Sequence, residues 1–261
     1  MSRTERSEKA HETLDIFRTG HYMIDNLEIL CRSRFTTDFI AEARLSAETV
    51  PAGNLDVSYE VINESVVDVI LQQGSCGVLN FASAKNPGGG FLGGAIAQEE
   101  SLAVSSDLYL SQLQAPQFYS INRRSGTALY THNMIYSRDI LFIRDGSLSL
   151  IPQPVCANVL TCPAVNAGAF YLNEGGARQL VNTVMEKRIR YILTQFILRK
   201  DLTIVLGAYG CGVFQNDPQD VAGIFHRLLK EQQLERNFRH IIFAIYDRKG
   251  NIYNTFKNKF R

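Results

Sequence analysis

Short apolar runs alternate along this chain with segments whose apolar residues have helical spacing. Runs of strand length predict β-strands at residues 77–82, 139–144, 155–164, 202–208 and 240–247, and an alternating segment predicts another at 56–62. Helices are predicted at residues 64–74, 97–113 and 174–198 and from Asp217 onward. Strands that alternate with helices predict a largely parallel or mixed sheet with helices on both faces.

The remaining segments have weaker patterns. Residues 1–50 are interpreted as a mostly helical N-terminal extension, which leaves residues 51–261 as one α/β domain. Residues 115–137 are polar and irregular, and residues 165–176 are expected to form a loop. The residues after Asn251 are expected to add a short terminal strand.

Composition excludes several classes of protein. Charged residues make up 20% and apolar residues 45% of the 261 positions, as in ordinary globular proteins. A net charge of +1 argues against a broad nucleic-acid-binding surface. No apolar run is long enough to span a membrane, and the N-terminal residues do not resemble a secretory signal. We therefore expect a cytoplasmic monomer without membrane association.

The cysteines and histidines show no spacing typical of a metal site. The five cysteines are scattered and lack a Cys-x-x-Cys pair, so neither a disulfide framework nor a zinc site is expected. The five histidines also lack ligand spacing. Cys211 lies in a candidate ligand loop, where a small packing residue is favoured over a reactive thiol. We expect no metal and no cofactor.

A glycine-rich stretch at residues 80–100, NFASAKNPGGGFLGGAIAQEE, combines a strand end, a loop and paired carboxylates. Glycines allow positive φ and a close approach of a ligand to backbone N–H groups, which is how many proteins bind phosphates. The Glu99–Glu100 pair follows at a predicted helix start. The glycines concerned are Gly88, Gly89, Gly90, Gly93 and Gly94.

A second candidate loop, LGAYGCGVFQNDP at residues 206–218, also follows a predicted buried strand. Strand ends of this kind meet at one edge of a sheet, so the two loops are expected to face a single ligand, and two such loops suit a diphosphate. The chain lacks a Gly-Lys-Ser or Gly-Lys-Thr phosphate loop and the Gly-x-Gly-x-x-Gly dinucleotide spacing. Nucleotide hydrolysis and hydride transfer are therefore disfavoured.

The first stretch resembles the signature of poly(ADP-ribose) glycohydrolases, in particular the compact bacterial type built on a macrodomain. The signature is a Gly-Gly-Gly triplet, seven further residues and then Gln-Glu-Glu at 98–100. The second loop, TCPAVN at 161–166 and FAIYD at 243–247 extend the resemblance over roughly residues 57–250. It implies a macrodomain-like three-layer α/β/α sandwich with a mixed central sheet and an N-terminal helical extension.

The resemblance also implies roles for individual residues. Glu100 is implied to be the catalytic acid and base, and Glu99 to hold ribose hydroxyls. Phe214 corresponds to an aromatic residue that packs near the terminal ribose, and Asn86 is placed to contact ribose hydroxyls. Ser83 stands where some relatives have Asn, which is a departure from the pattern. The other expected substrate-binding residues are Gly88, Gly89, Gly90, Gln98, Tyr209, Gly210, Gly212 and Val213, with Tyr209 stacking on a sugar or on adenine.

The reaction implied is hydrolysis of ribose–ribose bonds in poly(ADP-ribose), with ADP-ribose released. Neighbours on a helix project roughly 100° apart, so Glu99 and Glu100 are not expected to flank one bond as glycosidase carboxylate pairs do. Two alternatives stay open. One is a macrodomain reader that only binds ADP-ribose, and the other is an enzyme that removes single ADP-ribose groups from protein or nucleic acid.

Overall fold

The computed structural model describes residues 1–45 and 48–261. The strands are β1 (His21–Ile24), β2 (Leu27–Leu30), β3 (Thr36–Ile40), β4 (Ser58–Ile62), β5 (Gly77–Phe81), β6 (Met134–Arg144), β7 (Leu150–Cys162), β8 (Thr203–Leu206) and β9 (His240–Ala244). The helices are α1 (Arg3–Thr19), α2 (Glu42–Leu45), α3 (Val66–Gln73), α4 (Gln98–Ser105), α5 (Leu108–Gln112), α6 (Pro116–Arg124), α7 (Ala167–Glu174), α8 (Arg178–Arg199), α9 (Pro218–His226) and α10 (Asn251–Lys259). Short 3₁₀ turns at Phe91–Gly93 and Leu234–Asn237 and a π-helical turn at Arg227–Glu231 complete the set.

Seven strands form one mixed sheet in the order β3-β6-β7-β5-β8-β9-β4. Pairings among β7, β5, β8, β9 and β4 are parallel, and those of β3 with β6 and β6 with β7 are antiparallel. The central strands are buried on both faces, which explains why they are continuous apolar runs in the sequence.

Helices cover the sheet on both sides. On one face, Leu79 and Ile204 share a core with Ile192 of α8 and Phe225 of α9. On the other face, alternate residues of the same strands pack against α3 and α4, through a core that includes Val78, Val205, Val67 and Leu102. The predicted three-layer α/β/α architecture with a mixed sheet and an N-terminal helix is therefore confirmed. Within the described residues, no helix is both long and apolar enough to cross a membrane.

The prediction that residues 1–50 are mostly helical is correct for α1 and wrong for residues 21–40. Gly20 ends α1 in a left-handed conformation, with φ of 81°. The β1–β2 hairpin follows, and its turn residues Asp25 and Asn26 both have positive φ, as a type I′ turn requires. Strand β3 then joins the edge of the main sheet. Positions 46 and 47 of the predicted extension lie outside the described residues, and a division at residue 50 stays a prediction.

Three helices occur where other structure was expected. Helix α6 occupies part of the segment predicted to be irregular and begins with proline at its first turn, and α7 replaces the loop predicted at 165–176. Helix α10 replaces the predicted terminal strand because the Asp247 carboxylate accepts hydrogen bonds from the amides of Ile252 and Tyr253, which caps the helix. Phe256 then packs in the core.

Candidate active site

A cavity of about 1360 Å³ opens at the carboxyl ends of the central parallel strands. Its wall contains residues at the ends of β5, β7, β8 and β9 or just after them, at 81, 83–86, 164, 208, 210–214 and 244–247. The start of α4, from Ala97 to Ser101, forms another part of the wall. The volume exceeds the roughly 300–1,000 Å³ of common small-molecule pockets, so a ligand of dinucleotide size fits. Both predicted ligand stretches therefore reach one space, but the first does so through residues 83–86 and 96–100, and Gly88, Gly89, Gly90, Gly93 and Gly94 are not on the lining.

Glu99 is held rigidly at the base of this wall, with only 2% of its surface exposed. Its Oε1 accepts hydrogen bonds from the side-chain amides of Asn80 at 3.1 Å and Gln112 at 2.8 Å. Its Oε2 accepts one from the backbone N–H of Ser83 at 2.6 Å. Burial raises the pKa of Glu99 to about 8, against the opposite effect of these donors. Three bonds leave this carboxylate little freedom to move.

Glu100 is placed differently, half-buried and with a single hydrogen bond. Its Oε1 accepts from the backbone N–H of Gly90 at 2.9 Å. Gly89 has φ of 59°, and a Cβ there would lie 2.3 Å from Glu100 Oε1 and 3.2 Å from Glu99 Oε2. Only glycine therefore lets the loop pass this close to both carboxylates. The loop backbone fixes one Glu100 oxygen and leaves Oε2 without a hydrogen bond within the described chain.

Two glutamine side chains connect the glycine loop, α4 and the sheet. Gln98 accepts from the Phe81 N–H through Oε1 and donates to the Leu79 carbonyl through Nε2, so its amide fixes the start of α4 to β5. Gln112 accepts from the Gly88 N–H at 2.7 Å and donates to Glu99. Neither Gln112 nor Asn80 was picked out from the sequence, since both reach Glu99 only through tertiary packing.

The loop after β8 presents backbone donors to the cavity. Among its amides, those of Tyr209, Cys211, Gln215 and Asn216 donate within the loop. Those of Gly212, Val213 and Phe214 have no acceptor among the described residues, and all three residues line the cavity. Successive free N–H groups of this kind form a typical anion site. Asp217 caps α9 immediately afterwards by accepting from the Gln219 N–H at 2.8 Å, as predicted.

Comparison with known proteins identifies the family. Residues 10–145, more than half of the chain, match the family described as "Microbial-type PARG, catalytic domain". The chain belongs to the microbial-type poly(ADP-ribose) glycohydrolase (PARG) family. The resemblance drawn from the two glycine loops is thereby confirmed. A search of curated proteins gave no match.

Solved structures of PARG enzymes resemble nearly the whole chain. Poly(ADP-ribose) glycohydrolase from Thermomonospora curvata is 31% identical with a TM-score of 0.88, over 98% of this chain and 100% of that one. Its complex with the inhibitor ADP-HPD gives 30% identity and a TM-score of 0.86 over the same shares. The enzyme from Deinococcus radiodurans in complex with ADP-ribose is 36% identical with a TM-score of 0.80, over 85% of this chain and 93% of that one.

The structure places eight of the twelve predicted PARG site residues on the cavity wall and four off it. Asn86, Gln98, Gly210, Gly212, Val213 and Phe214 line it together with Glu99 and Glu100. Gly88, Gly89 and Gly90 lie behind the carboxylates rather than on the lining. Tyr209 is wholly buried, and its hydroxyl donates to the Cys162 carbonyl, so stacking on a sugar or adenine is ruled out. Apolar packing against Phe81 explains this inward orientation.

Tyr130 is a lining residue that the sequence did not indicate. It comes from the segment between α6 and β6, with φ of 56°, and its ring centroid lies 6.1 Å from that of Phe214. Arg188, fully buried in α8, donates to the carbonyls of Leu129 and Tyr130 and so fixes this conformation. Tyr130 and Phe214 together form an aromatic side of the cavity.

The described residues contain no group of three or more His, Cys, Asp or Glu side chains arranged to hold a metal ion. Cys211 lines the cavity, but burial raises the pKa of its thiol to about 12. A thiol with so high a pKa is not a nucleophile near neutral pH. Cys211 is therefore interpreted as a small packing residue, as predicted from the sequence.

The raised pKa of Glu99 predicts that the stability of the protein depends on pH. Because its pKa is raised from 4.5 to about 8, the folded protein keeps a proton that the unfolded chain has released, so the free energy of unfolding falls as pH rises towards 8. The slope contributed approaches 1.4 kcal/mol per pH unit. Glu99→Gln lacks this proton, so its unfolding free energy should fall less steeply between pH 6.5 and 8 in urea titrations. This window avoids Asp107, whose pKa burial raises to about 6. Equal slopes of unfolding free energy against pH for the wild type and Glu99→Gln would contradict a raised pKa at Glu99.

Proposed function

We propose that the protein hydrolyses ribose–ribose glycosidic bonds of poly(ADP-ribose) and releases ADP-ribose. The observation that carries this proposal is the Glu100 carboxylate, which lies on the cavity wall with one oxygen fixed by the Gly90 amide and the other without a hydrogen bond from any described residue. The loop after β8 supplies free amides for a diphosphate in the same cavity. Similar enzymes from two bacteria, one of them in complex with ADP-ribose, support the assignment.

Glu100 is the general acid and base in this mechanism. It protonates the oxygen of the departing ribose as the bond to the anomeric carbon breaks, and the cleaved sugar passes through an oxocarbenium-like state. The Glu100 carboxylate then removes a proton from the water that attacks this carbon. Geometry favours Glu100 over Glu99 for this role, because among the described residues one Glu100 oxygen has no hydrogen bond, whereas three donors hold Glu99.

The neighbouring residues bind and orient the substrate. Glu99 accepts a hydrogen bond from a ribose hydroxyl. Phe214 packs against the terminal ribose, and Tyr130 lies beside Phe214. The free amides of residues 212–214 bind the diphosphate. A rigid Glu99 held by Asn80 and Gln112 keeps the ribose in one orientation relative to Glu100, which lowers the entropic cost of reaching the transition state.

Two alternatives use the same cavity. A reader that only binds ADP-ribose needs the loops but has no need of the Glu pair, and an enzyme acting on single ADP-ribose groups needs another leaving group. The glutamates, their buried supports and the glycine contacts around them favour catalysis over binding alone.

Substrate comparison tests the proposal. The purified protein would be incubated separately with polymer-modified and mono-ADP-ribosylated protein, and its affinity for ADP-ribose measured by calorimetry. We expect shortening of polymer and little removal of single groups. Efficient removal of single groups would favour the second alternative, and binding without turnover of either substrate would favour the reader.

A further inference from the structure

Helix α1 is fastened to the glycine loop by three hydrogen bonds to consecutive carbonyls. Arg3 Nε donates to the Gly93 carbonyl at 2.7 Å, and Arg6 Nε donates to the Gly94 carbonyl at 2.9 Å. Ser7 Oγ donates to the Leu92 carbonyl at 2.6 Å. The first two of these acceptor residues, in chain order, belong to the 3₁₀ turn that directly follows the Gly-Gly-Gly triplet, and Gly94 is its C-cap. Side chains some 85–90 residues away in sequence therefore restrain this glycine-rich segment.

The packing at this contact is as close as glycine permits. Gly94 has φ of 71°, and a Cβ there would lie 2.0 Å from the Arg3 carbonyl oxygen. Helix α1 is itself anchored, because Thr13 Oγ1 donates to the Val104 carbonyl of α4 at 2.7 Å and Ala10 packs in a cluster with Phe91. The helix is thus attached both to the loop and to the helix that carries Glu99 and Glu100.

A short path leads from these bonds to Glu100. The Gly90 carbonyl accepts from the amides of Gly93 at 3.0 Å and Ala95 at 3.2 Å. The Gly90 amide donates to Glu100 Oε1. The position of residues 92–94 therefore sets the position of Gly90, and Gly90 fixes one oxygen of Glu100.

We propose that Arg3, Arg6 and Ser7 are positioning residues, through which α1 holds Glu100 in its catalytic orientation. This inference rests on the proposed function. Five glycines between residues 88 and 94 give the loop a large conformational entropy. Side-chain bonds from a preformed helix reduce that freedom before substrate binds, and small displacements of a catalytic group cost much in rate.

The test uses the full-length Arg3→Ala/Arg6→Ala variant. We expect its kcat on poly(ADP-ribose) to fall by about tenfold to a hundredfold, while ADP-ribose affinity and melting temperature change little. Arg3→Lys/Arg6→Lys retains donors and should recover most of kcat. Arg18→Ala is the matched control, because Arg18 lies on the same helix and its ion-pair partner among the described residues is the exposed Asp15; its activity should equal that of the wild type.

Amide hydrogen exchange gives a readout independent of turnover. The amides of residues 90–95 should exchange faster in the Arg3→Ala/Arg6→Ala variant than in Arg18→Ala. Unchanged kcat and unchanged exchange would overturn the inference, as would a joint loss of kcat and melting temperature that the lysine variant does not recover. If the wild type itself released nothing from polymer, the proposed function would fail, and exchange alone would decide whether α1 restrains the loop.

Discussion

Glu100→Gln is expected to lower kcat on poly(ADP-ribose) by roughly 10² to 10⁴, the usual contribution of one general acid–base group. Gln keeps the shape of the side chain and its Oε1 still accepts from the Gly90 amide, so the loop geometry and the affinity for ADP-ribose should be nearly unchanged. Turnover would be followed by release of ADP-ribose from polymer, and affinity by calorimetry.

The matched comparison is Glu99→Gln, the same change one residue earlier. Three N–H donors face Glu99, so its replacement amide must direct an NH₂ group at one of them. We expect a visible loss of ADP-ribose affinity and a smaller loss of kcat than for Glu100→Gln. Equal damage in the two variants, or full activity of Glu100→Gln, would show that the roles are assigned wrongly.

Gly89→Ala should nearly abolish turnover although it adds only one methyl group. The new Cβ would lie 2.3 Å from Glu100 Oε1, so either the carboxylate or the loop must move. A displacement of about 1 Å at a catalytic group can cost roughly 10²-fold in rate, and we expect at least that loss in kcat on polymer.

The Gly126→Ala variant separates the effect of this steric clash from the effect of a strained backbone conformation. Gly126 has φ of 69°, close to the 59° of Gly89, but apart from its chain neighbours no described residue has a heavy atom within 4 Å of a Cβ added there. Both variants should lose about 1–2 kcal/mol of stability from the left-handed conformation, measured by urea unfolding. Only Gly89→Ala should lose activity. Similar kcat values in the two variants would remove the argument that Gly89 is needed for close approach to Glu100.

The sheet and the two ligand loops could be predicted because their signals are local. Strands β5, β8 and β9 are continuous apolar runs, and each glycine loop follows such a run. The Gln-Glu-Glu triplet at the start of α4 also stands out by composition, and the helix does begin at Gln98. Topology then brings both loops to one edge, as expected for ends of parallel strands.

The parts that were missed depend on contacts between distant residues. Gln112 and Asn80 are ordinary polar residues in the sequence and become supports of Glu99 only when α4, which carries Glu99, packs against β5 and α5. Tyr209 was placed at the ligand because of its neighbours in sequence, yet its ring packs inward. Helix α10 depends on a cap from Asp247 that no apolar pattern reveals. The Asp25–Asn26 turn of the β1–β2 hairpin lacks the glycine of the common two-residue hairpin turns, although Asp and Asn adopt positive φ more often than other non-glycine residues.

The most direct measurement is identification, by chromatography and mass spectrometry, of the small product that the wild-type protein releases from protein-free poly(ADP-ribose). Hydrolysis between riboses by Glu100 predicts ADP-ribose as the product, with its diphosphate intact. Absence of any small product, or products cut at the diphosphate such as AMP derivatives, would contradict the proposed reaction.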